Sequence, residues 1–399
     1  MVATLQDLLM PPTILDVVSR VRKGQGMFSR WLGLHQSGFD DGRGVLVGPA
    51  LEQTDSRYGT YFIYDRTRTV AQARSPNTPP ATISPKPVGR VSYAIPRFHE
   101  KIRLEAELLA HLGTFGPNVP VKDRGRDYVG RVLDYMAQRM NNTVELMVAA
   151  VLRGHIFFRN SGDDWFPTLT APAAGVPSVD VNYQLFAGNQ NQLNMLGAGN
   201  IITVSWADPN APIVSNDLPK IAEAMAKLSG YALTDAWVGP TVWGQIITNT
   251  EVIQTAGSAN QPFEYQRFEN TPGGAQANQW VSVLRGYPTI RWHVGNDYFI
   301  ADGNLDPTPA STSVGTLTPV IPDNTVVFTP EPSPEWIDGL WYAEYVSEQV
   351  GMPARPAPSY YTYWNEWITQ PSTVELIGLM NFLPRLRIPK ALVSAVVIF

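Results

Sequence analysis

The sequence predicts an α+β fold, and three observations carry that prediction. One apolar stripe at helical spacing runs through 123–154. Short β-prone runs separated by Pro- and Gly-rich turns fill most of the remainder. At 399 residues the chain also exceeds the size at which a single core stops growing, so two connected subdomains are expected.

Residues 1–50 hold one short helical candidate, Ile14–Lys23, followed by a Gly-rich run from Gly24 to Gly48 that reads as an extended arm. Two β-prone runs, Tyr58–Tyr64 and Val88–Ile95, flank the Pro-rich segment Ser75–Pro87, which no sheet interior accommodates. Together they predict a long hairpin with a Pro-stiffened tip. A lone two-stranded hairpin is marginal in water, so its stable place is against another surface.

A short helix is expected over Glu100–Leu112 and a long one over 123–153. In the long helix Val129, Val132, Leu133, Met136, Met140, Val144, Met147, Val148 and Val151 follow the i, i+3, i+4, i+7 stripe, and Gly154 supplies the stop. It runs to roughly twice the mean helix length of about 11–12 residues and is expected to act as a backbone for other elements. Strands are expected at Ile156–Arg159, Val179–Leu185 and Ile201–Trp206. Ser215 or Asn216 should cap a helix that reaches Leu228, with Pro219 near its first turn. Further strands are expected at Ala232–Val238, Thr289–Val294, Tyr298–Ala301 and Val326–Phe328, a helix near Pro240 to Thr248, and a terminal strand-like run Ala391–Phe399.

Composition points to association. Charged residues make up only 16% of the chain, while 11 Trp, 16 Tyr and 15 Phe supply the side chains that favour cores and interfaces. The absence of cysteine excludes disulfides, thiolate zinc sites and cysteine nucleophiles. A net charge of −5 argues against a dedicated nucleic-acid binder. No stretch reaches the ~18 apolar residues of a membrane span, and the N-terminus lacks a secretion pattern; a soluble, cytosolic product is expected.

Charge is unevenly distributed. From Arg57 to Arg103 nine Lys/Arg face two acids, Asp65 and Glu100; from Asp323 to Glu375 eight acids face Arg355 alone. One segment can attract the other, within a subunit or between subunits; equally, both can be solvated faces.

Sequence patterns for catalysis are missing. His35, His99, His111, His155 and His293 show no ligand spacing, and neither a Gly-x-Ser-x-Gly elbow nor a Walker loop is present. The pairs Asp40-Asp41 and Asp163-Asp164 read as solvated turns. No catalytic residue, cofactor or metal is expected.

Several segments, in their order, resemble a known family. They are Ile83-Ser-Pro-Lys-Pro-Val-Gly-Arg-Val-Ser92 beside an extended loop, the long helix closing on Val151-Leu-Arg-Gly154, Trp237-Val-Gly-Pro-Thr-Val-Trp-Gly244, Ile321-Pro-Asp-Asn-Thr-Val-Val327, and Leu376–Val397. Each is short; the order and spacing from about residue 40 onward resemble the major capsid protein family of phage lambda and its relatives.

The resemblance implies the Hong Kong 97-type capsid fold, with an N-terminal arm at 1–50, an extended loop at 51–99, and a peripheral domain at 100–230 built on a spine helix at 123–153. An axial domain at 231–370 follows, and 371–399 returns to the peripheral domain. It implies a non-enzymatic shell subunit of a tailed bacteriophage, assembling into hexamers and pentamers that close an icosahedral shell around double-stranded DNA. The implied partners are the chain itself, scaffolding, portal and decoration proteins, and packaged DNA held without sequence-specific binding. The implied location is the virion, after assembly in the host cytoplasm, with no membrane contact. Arg66, Arg68, Arg74, Lys86 and Arg90 are the candidate intersubunit contacts, with acidic surface in 323–375 of a neighbour as their target.

Some capsid proteins of this fold form a Lys–Asn isopeptide bond beside a buried Glu. Lys86 and Asn381 would be the pair here, although the lambda branch is expected not to crosslink. Two alternatives stand beside the capsid reading: an encapsulin-like compartment of the same fold, and a secreted carbohydrate-active enzyme suggested by Trp336–Trp341 and Trp364–Trp367.

Overall fold

A computed structural model describes residues 27–32, 51–64, 89–105, 121–161, 164–169, 178–185, 201–255, 263–266, 280–295, 298–300, 317–346, 355–356, 361–369 and 372–399. In chain order these carry helix α1 (Met27–Trp31) and strands β1 (Leu51–Thr54), β2 (Tyr58–Ile63), β3 (Gly89–Ala94) and β4 (Phe98–Glu105). Helix α2 (Val121–Arg153) follows, then β5 (His155–Ser161), β6 (Asp164–Thr168), β7 (Ser178–Asn182), α3 (Leu218–Ser229), β8 (Asp235–Val238), α4 (Pro240–Thr248) and α5 (Thr250–Thr255). Next come β9 (Phe263–Gln266), β10 (Trp280–Leu284), β11 (Tyr287–Val294), β12 (Tyr298–Ile300), β13 (Leu317–Pro319), β14 (Thr325–Thr329) and β15 (Ile337–Tyr342). The chain closes with β16 (Tyr345–Val346), β17 (Arg355–Pro356), β18 (Tyr361–Thr369), β19 (Ser372–Met380), β20 (Phe382–Leu386) and β21 (Val393–Val396).

The helical stripe forms one 33-residue helix, α2, as its periodicity requires. Leu133, Met136, Met140, Val144, Met147 and Val148 are all buried. It stops where expected: Gly154 takes φ +89°, a left-handed turn that an L side chain resists, and its N–H donates to the Val151 carbonyl at 3.0 Å. A Cβ there would also sit 2.6 Å from Leu185 Cδ1, so the Leu185 side chain would have to shift.

The chain divides into two compact units, one formed from Met1–Tyr58, Ala94–Glu145 and Gly339–Leu383 and the other from Gly59–Tyr93, Leu146–Asp338 and Pro384–Phe399.

In the first unit an antiparallel sheet runs in the order β18-β19-β4, with Leu376 opposite Ile102 and Glu375 opposite Arg103. The central strand β19 is buried at every residue from Glu375 to Met380. Strand β1 pairs in parallel with β15, Leu51 opposite Gly339. The short helix α1 is held at its start by Glu145 of α2, whose carboxylate accepts from the Phe28 and Ser29 N–H groups at 2.8 and 2.9 Å.

In the second unit a six-stranded mixed sheet runs β21-β14-β8-β11-β10-β9. Its β8–β11 pairing is parallel, and the other adjacent pairs are antiparallel. Trp206, Ile221, Met225, Trp243, Trp292 and Phe328 belong to its buried core, which α3 and α4 cover. A smaller sheet, β6-β5-β7, follows the end of α2.

Three expectations are corrected. Residues 98–105, expected to open a helix at Glu100, form strand β4. Its exposed His99, Lys101 and Arg103 alternate with half-buried Phe98, Glu100 and Ile102, and pairing with β19 selects the two-residue period over local helix propensity. Residues 201–206 form no strand. Ile202 and Trp206 are spent on the core, while Ser205 and Asp208 build turns through Asp208 N–H to Ser205 O and Asn210 N–H to Asp208 Oδ1, both at 2.9 Å. Neither Ser215 nor Asn216 caps α3. A π-helical turn, Ile213–Asp217, precedes it, and Asp217 occupies the cap position with its carboxylate accepting from Trp206 Nε1 and Asn216 Nδ2 and making no cap bond to the helix. The Val214 and Ser215 N–H groups instead donate to the Glu251 carboxylate at 2.9 and 2.8 Å, an acceptor 36 residues away from Ser215 in sequence. The expected helix Ile14–Lys23 and the Pro-rich tip 75–87 lie outside the described residues.

Candidate functional site: charge clusters and the hairpin face

Strands β2 and β3 pair in a two-stranded sheet, as expected, and the segment that joins them lies outside the described residues. Alternation sends Tyr61, Ile63 and Val91 inward to a small buried cluster with Tyr93. The same alternation leaves Tyr58, Phe62 and Tyr64 on the outer face, 70%, 47% and 39% exposed. The inner face is anchored in its own unit. The Arg385 guanidinium lies 5.8 Å from the Tyr61 ring centroid, the Tyr64 N–H donates to the Arg387 carbonyl at 3.1 Å, and Gln184 Nε2 donates to the Arg90 carbonyl at 2.9 Å. Arg385 and Arg387 in turn converge on buried Asp338, with their Nε atoms 2.7 and 2.9 Å from its two oxygens. Burial pushes the Tyr61 hydroxyl well above its ordinary range.

Of the five candidate contact residues, Arg90 is exposed on β3. Arg66, Arg68, Arg74 and Lys86 lie outside the described residues.

The basic and acidic segments do attract one another within this chain. Glu344 Oε2 accepts from Arg57 Nη2 at 3.0 Å and from Asn381 Nδ2 at 3.1 Å, and Oε1 pairs with Arg97 Nη2 at 2.9 Å. Glu375, buried on β19, draws in Lys101 at 3.2 Å and Arg103 at 3.5 Å from the neighbouring strand. Glu100 bonds Arg139 at 2.8 Å; burial raises its carboxyl above the ordinary value and Arg139 opposes the rise. Thus, among the described residues, Arg57, Arg97, Lys101 and Arg103 engage acids of 323–375 in the same chain. Asp323, Glu331 and Glu335 remain at least partly open to solvent. Asn381, named as a crosslink candidate, is buried with its amide on Glu344, whereas Lys86 lies outside the described residues.

A further cluster has no counterpart among the residues expected from the sequence. Asp235 on β8 and Arg291 on β11 face each other in register, and Arg291 Nε and Nη2 each donate to one Asp235 oxygen at 2.9 Å. His293 Nε2 lies 2.6 Å from Asp235 Oδ1, and its ring stacks on Trp237 with centroids 4.2 Å apart. Burial alone raises the Asp235 carboxyl, but His293 and Arg291 outweigh it and hold the group below its ordinary value. For His293, burial dominates and lowers the imidazole below its usual range despite Asp235. The nearby Thr329 hydroxyl accepts from Trp237 Nε1 at 3.2 Å, so an Asp–His pair is present beside a hydroxyl committed to the indole. The signal was the repeated i, i+2 spacing, Asp235-x-Trp237 and Arg291-x-His293, which only strand pairing brings together. Among the described residues no group of three His, Asp or Glu side chains is arranged to hold a metal.

No family model matches this chain, and no curated protein does. Among solved structures the chain is similar to a phage-related protein from Bordetella bronchiseptica RB50, at 11% identity, 97% and 96% coverage of the two chains and a TM-score of 0.46. It is also similar to a candidate capsid protein of a prophage in Escherichia coli CFT073, at 11% identity, 97% and 98% coverage and a TM-score of 0.48. The mature capsid of bacteriophage PhiM1 is a third, at 11% identity, 87% and 84% coverage and a TM-score of 0.41. At this distance the likeness is one of chain course, and the functional reading rests on the chain's own residues.

Proposed function

We propose that this chain is the major capsid protein of a tailed bacteriophage, a structural subunit that assembles with copies of itself into the capsomers of an icosahedral shell. The observation that carries the reading is the outer face of the β2–β3 hairpin. A two-stranded ribbon is marginal by itself, and here it presents Tyr58, Phe62 and Tyr64 to solvent on the side away from its anchor. Such a face is completed by a neighbour. The order of the segments that resemble the lambda family, with the long helix α2 following the hairpin, supports the same assignment.

In this reading 1–50 is the arm, 51–99 the extended loop, 100–230 with 371–399 the peripheral domain and 231–370 the axial domain. Arg66, Arg68, Arg74, Lys86 and Arg90 then contact a neighbouring copy. Among the described acids of 323–375, Asp338, Glu344 and Glu375 are committed to cations of their own chain, and Asp323, Glu331 and Glu335 are the exposed candidates for the acidic target. Scaffolding, portal and decoration proteins and packaged DNA are the further partners.

Electron microscopy of the purified chain, with its elution volume, tests the reading. Shells, or rings of five and six copies, are the expected result. A monomer under every salt and concentration condition would overturn it.

A further inference from the structure

We propose that Glu344 is a latch that closes the base of the hairpin arm. Arg57 stands immediately before β2 and Arg97 follows β3, so they mark the two roots of the arm. Both place a guanidinium on the one carboxylate, Arg57 Nη2 on Oε2 at 3.0 Å and Arg97 Nη2 on Oε1 at 2.9 Å. The roots also meet through the backbone, where the Ile95 N–H donates to the Arg57 carbonyl at 2.8 Å.

The carboxylate is itself positioned. Asn381, buried in the same unit, donates its amide to Oε2 at 3.1 Å, and the Arg57 guanidinium lies 5.7 Å from the Tyr342 ring centroid. Charge-assisted hydrogen bonds of this kind are about twice as strong as neutral ones. The arrangement is also bistable in sign. With the carboxylate in place two cations are drawn together; without its charge the same two cations repel, and the base opens. The side chains of Glu344, Arg57 and Arg97 are 20%, 28% and 41% exposed, so water can take over their hydrogen bonds when the latch releases.

The latch itself is independent of the capsid reading; that it governs where the arm reaches a neighbouring copy rests on that reading. Hydrogen exchange at the Ile95 amide of the full-length chain reports the base directly. Glu344→Gln should speed exchange at Ile95 about tenfold or more, the loss expected when hydrogen bonds to a charged group are removed, while amides of β8 and β14 keep their protection. Arg97→Gln, at a largely solvent-facing side chain, should give a smaller acceleration at the same amide. Unchanged exchange at Ile95 in both variants would overturn the latch. So would acceleration in Glu344→Gln that is equal in β8, β14 and Ile95 while Arg97→Gln changes nothing, since that pattern marks a general loss of structure. Micrographs of the same samples read shell formation separately, so a chain that forms no shells yet shows the Ile95 effect sinks the capsid reading and leaves the latch standing.

Discussion

Asp235 and Arg291 stand opposite each other on adjacent parallel strands, joined by two 2.9 Å hydrogen bonds that use both carboxylate oxygens, and the aspartate is fully buried. A buried carboxylate keeps its charge only where donors replace water, and Arg291, His293 and the Thr234 hydroxyl supply them.

Replacing Asp235 by Ala should therefore cost about 3 kcal/mol of stability, the scale for removing one member of a buried ion pair. Urea unfolding of the variant and the parent chain measures it. A change within the scatter of a surface substitution would show that the pair contributes nothing net.

The pH dependence has a definite sign. Burial holds the His293 imidazole below its ordinary value of 6.5, so the unfolded chain takes up this proton first. The stability contributed by neutral, buried His293 is complete above about pH 6.5 and is lost as the pH falls below it toward the lower folded value. Asp235, also held low, acts in the same direction in more acidic solution. Melting temperatures of the parent and of His293→Gln, compared from pH 8 to pH 5, should converge as the pH falls. A gap that widens toward acid would reverse the assignment.

Glu251 closes the start of the π-helical turn before α3. Glu251→Ala leaves the Val214 and Ser215 N–H groups without their acceptor and should destabilise the chain by about 1–2 kcal/mol, the scale of a lost helix cap. Calorimetry of the purified variant would register it, and an unchanged transition would mean that water replaces the carboxylate at no cost.

Gly154→Ala adds a methyl at a left-handed position and drives it against Leu185. Left-handed strain of about 1–2 kcal/mol for a non-glycine residue sets the minimum loss. A variant as stable as the parent would imply that the turn between α2 and β5 rearranges freely.

On the hairpin, joint replacement of Phe62 and Tyr64 by Ser should leave the melting temperature nearly unchanged, because both side chains face solvent, while reducing shell yield severalfold. Charge reversal at Arg66, Arg68 and Arg90 should lower yield and heat resistance in the same assay. Normal shell yield from both variants would remove the hairpin from the assembly surface.

Much of the architecture was legible because it is written in local periods. The stripe from Leu133 to Val151 reads as one face of a helix, Gly154 as its stop, and Tyr58–Tyr64 and Val88–Ile95 as strands. Pro240 marked the region of α4, whose first turn it opens. Segment 98–105 misled because its residues serve either period, and the choice was made by β19, a strand more than 260 residues away.

The charge imbalance between 57–103 and 323–375 shows where sequence reading stops. Composition alone established that two segments of opposite sign exist, and that the chain is rich in aromatics, poor in charge and free of cysteine. Only tertiary structure decided which charges meet: Glu344 with Arg57 and Arg97, Glu375 with Lys101 and Arg103, Asp235 with Arg291 and His293. The reason is physical. Helix and strand periods are set by neighbours a few residues apart, whereas a salt bridge is set by strand register and burial, which depend on chain segments that sequence distance does not relate.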